Sequence, residues 1–209
     1  MVLVSRDLQS QQDIRAYIEN NKPSTWPPEA VIDDAPFKRH YHSESPEKYF
    51  SADDPFDLRA AIRRDVKKSD KVLTTPQHAS FFRDAGVTNI SVYDMHPAQL
   101  ASHDNLDETR YWSDIFDTEL LKRLLRQSQP TLMYLSNIPE WPYDGIEQVI
   151  RLADNLDNHK SLSKVMLAGV VPNTICSDLL AEELEKMGWK KTIFQHNSMS
   201  YNRIISLIR

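Results

Sequence analysis

Residues 131–141 read TLMYLSNIPEW, and the fold can be inferred from the pattern of this stretch. An apolar run at 132–135 is followed at once by small polar residues, a proline, an acid and a tryptophan. A strand that is apolar at every position is typical of a parallel sheet covered by helices on both faces. In open α/β sheets ligands bind just beyond the carboxyl ends of the strands, so the polar end of this run predicts a binding edge.

Six further apolar or β-branched runs predict strands, and helical patterns separate most of them. The other predicted strands are at 71–75, 87–94, 109–114, 164–171, 190–197 and 203–209. The predicted helices start near Asp57 and cover 76–86, 97–104, 118–129, 145–156 and 177–188, with Thr118 and Ser177 as N-caps. The alternation predicts an α/β fold with a doubly wound, mostly parallel sheet, closed by a C-terminal hairpin that contributes one antiparallel strand.

The first 55 residues lack this alternation. Residues 5–20 have the spacing of a short amphipathic helix, and residues 22–55 hold six prolines among scattered aromatic residues. A long segment without periodicity indicates either a lid packed over the domain or a partner-binding segment, including one for self-association. We therefore divide the chain into an N-terminal arm at 1–55 and an α/β domain at 56–209.

The overall composition narrows the functional classes. A net charge of -5 gives no general attraction to nucleic acid, although a local basic face remains compatible with it. One cysteine among 209 residues excludes an internal disulfide and fits a reducing compartment, so we expect a cytoplasmic protein. No apolar run approaches the ~18 residues of a membrane-spanning helix, and we expect no membrane partner.

Polar residues collect at the ends of four predicted strands, where a ligand would bind. They are Thr74, Thr75, Gln77 and His78 after the first strand, Asp94 and Met95 after the second, Ser113, Asp114 and Ile115 after the third, and Ser136 to Trp141 after the fourth. Asp94 has two interpretations. It is placed to accept both hydroxyls of a ribose, or it caps the helix that follows it.

The stretches GVTNISVYD (86–94), SD (113–114) and SNIPEW (136–141) resemble the successive strand ends of the class I S-adenosylmethionine-dependent methyltransferases. The resemblance covers residues 56–209. It implies that Asp94 holds the ribose of the cofactor and that Asp114 with Ile115 contacts its adenine. It further implies that Asn137, Pro139, Glu140 and Trp141 face the methyl group and an acceptor, either a small molecule or a nucleic acid, and NIPEW is similar to the Asn-Pro-Pro-Tyr motif of amino-methylating members.

The first strand end departs from that family. The family places a glycine-rich loop there, whereas this chain has TTPQHAS (74–80), and only 4 glycines in all. The departure leaves two alternatives open besides methyl transfer. One is a catalytically inactive Rossmann-like module that engages a protein partner through its N-terminal arm, and the other is a different nucleotide-dependent transferase.

Other features of the sequence favour structural roles. His40 and His42 have the spacing of strand metal ligands but no identifiable third ligand, so we expect no metal. Cys176 opens a predicted helix without an assignable histidine partner. Basic residues at 59–68 and 122–126 fit solvated helix faces, with a nucleic-acid or acidic-partner patch as the alternative.

Overall fold

The computed structural model of the chain describes residues 3–5, 55–94, 100, 107–136, 146–170, 175–194 and 202–209. Its strands are β1 (Leu3–Ser5), β2 (Lys71–Thr74), β3 (Asn89–Asp94), β4 (Thr109–Trp112), β5 (Leu132–Leu135), β6 (Lys164–Val170), β7 (Lys190–Phe194) and β8 (Asn202–Ile208). Its helices are α1 (Pro55–Asp65), α2 (Ala79–Asp84), α3 (Thr118–Ser128), α4 (Ile146–Asp157) and α5 (Ile175–Lys186), with a 3₁₀ turn at Pro76–His78.

These strands form one sheet in the order β1-β4-β3-β2-β5-β6-β8-β7. Strands β2 to β6 are mutually parallel, and β8 is antiparallel to both of its neighbours, β6 and β7. The predicted α/β class, the parallel sheet and the closing hairpin are confirmed. The chain builds outward from β2 to β4 and then restarts on the other side of β2 with β5, so strand order reverses between β2 and β5.

Both faces of the sheet are covered by helices. On one face α3, α4 and α5 pack on a core that includes Leu73, Met133 and Leu135. On the other face α1 and α2 pack on a core that includes Val72, Leu132 and Tyr134. Successive residues of β5 thus alternate between two cores, which explains why its sequence is apolar throughout.

Three predictions of local structure were wrong. Strand β1 pairs antiparallel with β4, although its three residues were not predicted as a strand. Asp117, not Thr118, caps α3, because its carboxylate accepts from the N–H groups of Glu119 and Leu120 at 2.9 Å. Helix α5 begins at Ile175, which places Ser177 inside the helix and excludes it as the N-cap.

The amino ends of the central strands are held by a buried ion pair. Lys164 Nζ donates to Asp70 Oδ2 at 2.6 Å, and both side chains are about nine-tenths buried. The Asp70 carboxylate also accepts from the Lys67 N–H at 2.7 Å and from Thr131 Oγ1 at 3.2 Å. This network joins β2, β5 and β6 at the edge opposite the predicted site.

Among the described helices, none combines the length and the apolar character that crossing a bilayer requires.

Candidate functional site

The carboxyl edge of the sheet gathers most of the described candidate residues. Thr74 ends β2, Asp94 ends β3, Asp114 lies two residues beyond β4, and Ser136 directly follows β5. Because these four strands are parallel and adjacent, their ends share one edge. The sequence placed each residue at a strand end, and the sheet order places those strand ends side by side.

A polar cluster spans the point where strand order reverses. Thr75 Oγ1 lies 2.8 Å from Nδ1 of His78 and 3.2 Å from Oγ of Ser136. Thr75 follows β2 and Ser136 follows β5, so this cluster bridges the two strands at the topological switch point, where open α/β sheets bind ligands. We call these three residues the switch-point cluster.

The imidazole of His78 is buried against aromatic rings. Its ring lies 4.9 Å from the ring of Tyr134 and 6.2 Å from that of Phe81, and the residue is 5% exposed. When Nδ1 of His78 accepts from Thr75, the Thr75 hydroxyl accepts from Ser136, and a proton on Nδ1 reverses both bonds. The tautomer of His78 therefore decides whether the Ser136 hydroxyl presents an acceptor or a donor to a ligand.

The loop after β2 uses side chains where the resembling family uses bare backbone. Pro76 opens the 3₁₀ turn, and the His78 N–H is bonded to the Thr75 carbonyl oxygen. Within the described residues the glycines with positive φ are Gly86 and Gly188, each just beyond the end of a helix and outside this loop. Polar groups at this strand end thus come from Thr75 and His78 side chains.

Asp94 lies in a partly buried position at the end of β3. Its carbonyl oxygen accepts from the Ser113 N–H at 3.0 Å, which ties the ends of β3 and β4 together. The neighbouring Tyr93 donates its hydroxyl to the carbonyl oxygen of Tyr134 at 3.0 Å across β2. Burial raises the pKa of Tyr93 well above its usual value, and the negative charge of Asp94 raises it further.

The end of β4 holds a buried hydroxyl without a partner. Ser113 is 1% exposed, and its Oγ has no hydrogen-bond partner within the described part of the chain. Next to it, Asp114 accepts from the Phe116 N–H at 2.9 Å through Oδ1. Burial raises the pKa of Asp114 above its usual value, the Phe116 bond opposes that shift, and the charge of Asp117 adds to it.

The remaining candidate residues contribute less or lie outside the described residues. Thr74 is wholly buried and its hydroxyl faces the Thr75 carbonyl oxygen at 3.5 Å, while Gln77 and Ile115 are partly buried. The positions outside the described residues are Met95, Asn137, Pro139, Glu140, Trp141, His40, His42 and the whole of 6–54. Cys176 lies in α5, as the sequence predicted.

Sequence reasoning missed two residues at this edge, Phe81 and Tyr134, whereas it placed Ser113 at the end of the third predicted strand without assigning it a contact. Ser113 had one signal, since it is a small polar residue that follows an apolar strand and precedes the candidate Asp114. Tyr134 had none, because only the packing of the segment around His78 against β5 brings its ring to His78, and Phe81 is an apolar helix residue that reaches His78 from three positions further along the chain. In the described part of the chain, no three His, Cys, Asp or Glu side chains converge as a metal site would require.

Comparison with known proteins finds similarity of structure alone. No family model matches the sequence, and no curated protein matches it either. A TehB-like S-adenosylmethionine-dependent methyltransferase from Corynebacterium glutamicum superposes with a TM-score of 0.56 at 11% identity, covering 84% of this chain and 99% of that one. The fold is that of the class I methyltransferases.

Two further solved structures support the same architecture. The methyltransferase domain of bacterial CtHen1 superposes with a TM-score of 0.53 at 10% identity, over 73% of this chain and 95% of that one. A protein described as a possible exported protein from Bordetella parapertussis superposes with a TM-score of 0.52 at 10% identity, over 93% of this chain and 79% of that one. At these identities the likeness concerns the class I fold, which the sequence resemblance had predicted.

Proposed function

We propose that this class I methyltransferase fold binds S-adenosylmethionine at the carboxyl edge of its sheet and transfers the methyl group to an acceptor. The observation that carries the proposal is the switch-point cluster together with Asp94 and Asp114 at adjacent strand ends. These groups lie along the edge where the fold accepts a nucleotide-like ligand.

The residues present at β4 fit such a ligand. The Ser113 hydroxyl is buried without a partner in the described residues, and a buried hydroxyl left unbonded is unfavourable by about 1–3 kcal/mol. A purine edge offers both hydrogen-bond donors and acceptors, so it can satisfy this hydroxyl beside Asp114. We assign the adenine end of the cofactor to Ser113, Asp114 and Ile115.

The other cofactor contacts follow the strand order. The Asp94 carboxylate at the end of β3 accepts hydrogen bonds from the two ribose hydroxyls. Met95, the next residue in the chain, contributes to the same part of the cofactor site. Thr75, Gln77, His78 and Ser136 surround the methionine end, with Thr74 shaping the strand end behind them. S-adenosylmethionine supplies an electrophilic methyl group when it is bound.

The protein's part in the reaction is positioning. Asn137, Pro139, Glu140 and Trp141 follow β5 directly after Ser136, and we assign them to the acceptor: the Asn137 amide oxygen and the Pro139 carbonyl oxygen accept hydrogen bonds, and Trp141 stacks. Holding donor and acceptor in line removes most of the entropic barrier of a bimolecular transfer, so no covalent nucleophile is required.

Calorimetry with S-adenosylmethionine tests the proposal directly. We expect saturable binding by the wild type, and Asp94→Ala to weaken it about tenfold or more because hydrogen bonds to a charged group are lost. Asp84→Ala is the matched control, since Asp84 is an exposed acid at the end of α2. No heat at millimolar cofactor would overturn the proposal, and unchanged binding by Asp94→Ala would overturn the ribose assignment.

One observation favours a second candidate, a catalytically inactive module that binds a protein partner through residues 22–55. Pro76 and the buried His78 occupy the loop where the family presents bare glycine backbone. If this candidate holds, the wild type gives no heat with S-adenosylmethionine, and a chain that lacks residues 22–55 loses a partner or its self-association in analytical ultracentrifugation.

A further inference from the structure

A cationic surface lies on α1 and the turn that follows it. Six side chains between residues 59 and 71 are exposed cations: Arg59, Arg63, Arg64, Lys67, Lys68 and Lys71. The two acids in the same segment point inward. Asp65 binds Arg64 and the buried Ser206 hydroxyl, and Asp70 binds the buried Lys164. The described surface of this segment therefore carries positive charge alone, although the whole chain is acidic.

Two of the cations lie on the helix and two lie just beyond it. Arg59 and Arg63 are four residues apart on α1, a rise of about 6 Å, and Lys67 and Lys68 belong to the turn that follows the end of α1 at Asp65. We define the α1 basic face as Arg59, Arg63, Lys67 and Lys68. None of these four makes an ion pair with the described acids. The helix α5, which carries Glu182 and Glu185, packs on the other face of the sheet from α1.

Two aromatic rings lie against cations of this segment, one under Arg59 of the α1 basic face and one under the neighbouring Arg64. The guanidinium of Arg59 lies 5.5 Å above the ring of Phe81, and that of Arg64 lies 4.2 Å above the ring of Phe194. Both rings are partly exposed. Guanidinium groups beside accessible aromatic rings are a surface on which nucleic-acid bases stack while phosphates meet the cations.

The α1 basic face is continuous with the candidate site. Phe81 lies under Arg59 and its ring is 6.2 Å from that of His78, which belongs to the switch-point cluster. A strand laid along Arg63 and Arg59 therefore reaches Phe81 and then the carboxyl edge. This path connects the α1 basic face to the switch-point cluster, where methyl transfer is proposed.

We propose that the α1 basic face and Phe81 bind single-stranded nucleic acid. Phosphates lie against Arg59, Arg63, Lys67 and Lys68, and an unpaired base stacks on Phe81. An acidic protein would use the cations without the rings. A membrane surface would require the apolar side of α1, but Leu58, Ala61 and Ile62 are buried in the core.

The experiment compares two charge variants of the full chain by fluorescence anisotropy with labelled oligouridylate, oligothymidylate and a DNA duplex. Arg63→Gln/Lys67→Gln/Lys68→Gln removes three charges from the α1 basic face. Lys122→Gln/Arg123→Gln/Arg126→Gln removes three from the exposed side of α3 and is the matched control, since both leave the same net charge. Arg64 is kept because it binds Asp65.

We expect the α1 variant to bind the single strands about tenfold or more weakly and to lower the slope of log K against log salt by about 2, since each single-strand phosphate contact contributes about 0.7. The α3 variant should change neither. Phe81→Leu keeps an apolar side chain on the core and should weaken single-strand binding about tenfold without changing the salt slope, because it removes stacking and no charge.

Four outcomes would overturn the proposal: no binding at low salt, equal weakening by the two charge variants, tighter binding of the duplex, or binding of polyglutamate as strong as that of oligouridylate. All measurements are made without cofactor. Failure of this surface is therefore distinguishable from failure of S-adenosylmethionine binding.

Discussion

At the scale of single residues, removing the hydroxyl of Ser113 should affect the stability of the fold and the binding of a ligand differently. In most proteins a buried hydroxyl is bonded inside the fold, and its loss destabilises the protein. Here the described residues give the hydroxyl no partner, so the folded state already carries the unfavourable burial. A ligand that forms a hydrogen bond with this hydroxyl would remove that unfavourable contribution, and the free energy would appear as binding affinity.

Ser113→Ala should therefore leave the fold as stable as the wild type or stabilise it by about 1 kcal/mol, because no internal hydrogen bond is lost. The same variant should weaken S-adenosylmethionine binding severalfold. Urea unfolding measures the first effect and calorimetry the second. A loss of more than about 1 kcal/mol in urea would show that the hydroxyl is bonded in the fold.

The neighbouring Asp114 predicts a dependence of stability on pH. Burial raises its pKa above 3.8 in the folded state, so the folded protein holds this proton more tightly than the unfolded chain. The free energy of unfolding therefore contains a contribution that is present below that value and is lost as pH rises through the folded pKa.

Asp114→Asn removes this contribution while its Oδ1 still accepts from the Phe116 N–H. Relative to the wild type, we expect the variant to become more stable as pH rises from about 3 to about 7. Urea unfolding of both proteins across that range measures the difference. A difference that stays constant with pH, or that moves in favour of the wild type, contradicts the expected burial of the charge.

At the scale of elements, α3 shows how a cap is misassigned by one residue. The sequence analysis chose Thr118 as the N-cap in DTELL, and the apolar periodicity from Leu120 onward does not distinguish it from its neighbour Asp117, a residue type that caps helices equally well. The choice depends on backbone geometry: Asp117 has the extended φ and ψ of a cap and accepts from two N–H groups, whereas Thr118 is already helical. Residue preferences at N-caps alone do not distinguish between two adjacent candidates.

Asp117→Ala should reduce the free energy of unfolding by about 1 kcal/mol, within the range of 0.5–2 kcal/mol for lost N-caps. Thr118→Ala, at the position the sequence had suggested, is the control and should change stability by less than about 0.5 kcal/mol. Thermal or urea unfolding of both variants checks this pair. Equal losses in the two variants would mean that the cap is shared.

At the scale of the whole molecule, the pair of Lys164 and Asp70 joins segments 94 residues apart. Lys164→Met should destabilise the protein by about 3–5 kcal/mol, because it leaves the Asp70 carboxylate buried without its counter-charge. Adding Asp70→Asn should restore most of that loss, since the amide oxygen still accepts from the Lys67 N–H.

The surface pair of Lys122 and Glu119 is the control for this prediction. Its atoms are 3.3 Å apart and both side chains are at least half exposed, so Lys122→Met should cost less than about 1 kcal/mol. Urea unfolding compares the variants. A double variant at Asp70 and Lys164 that is no more stable than Lys164→Met would contradict the argument from uncompensated charge.

Most of the fold was predictable because its central strands, such as β2 and β5, are largely buried on both faces. Apolar or β-branched runs predicted each strand from β2 to β8 to within about three residues, including β7, which is partly exposed. Strand β1 was not predicted because three residues are too few to show an apolar pattern, and its position depends on pairing with β4. Pro76 was read correctly as the start of a helical segment, but the 3₁₀ turn before α2 depends on local geometry.

The candidate site was predictable in position and less so in its contacts. The rule for strand ends selected Thr75, His78 and Ser136 separately, because each is polar where the preceding strand is apolar. That Thr75 lies within 3.2 Å of a residue 61 positions away follows from strand order, which the sequence suggests and only the pairing of β2 with β5 establishes. The sequence placed Ser113 at a strand end, but the lack of a partner for its hydroxyl among the described residues depends on packing.

The insertion of β8 between β6 and β7 also bears on synthesis by the ribosome. In the sheet β7 pairs with β8, which is translated after it. A nascent chain that has emerged only as far as Phe194 therefore has five parallel strands ready to assemble, while β7 still lacks the strand it must join. Until 202–208 emerge, the edge of β6 lacks its partner strand, so we expect this interval of translation to carry a risk of edge-to-edge pairing with another chain.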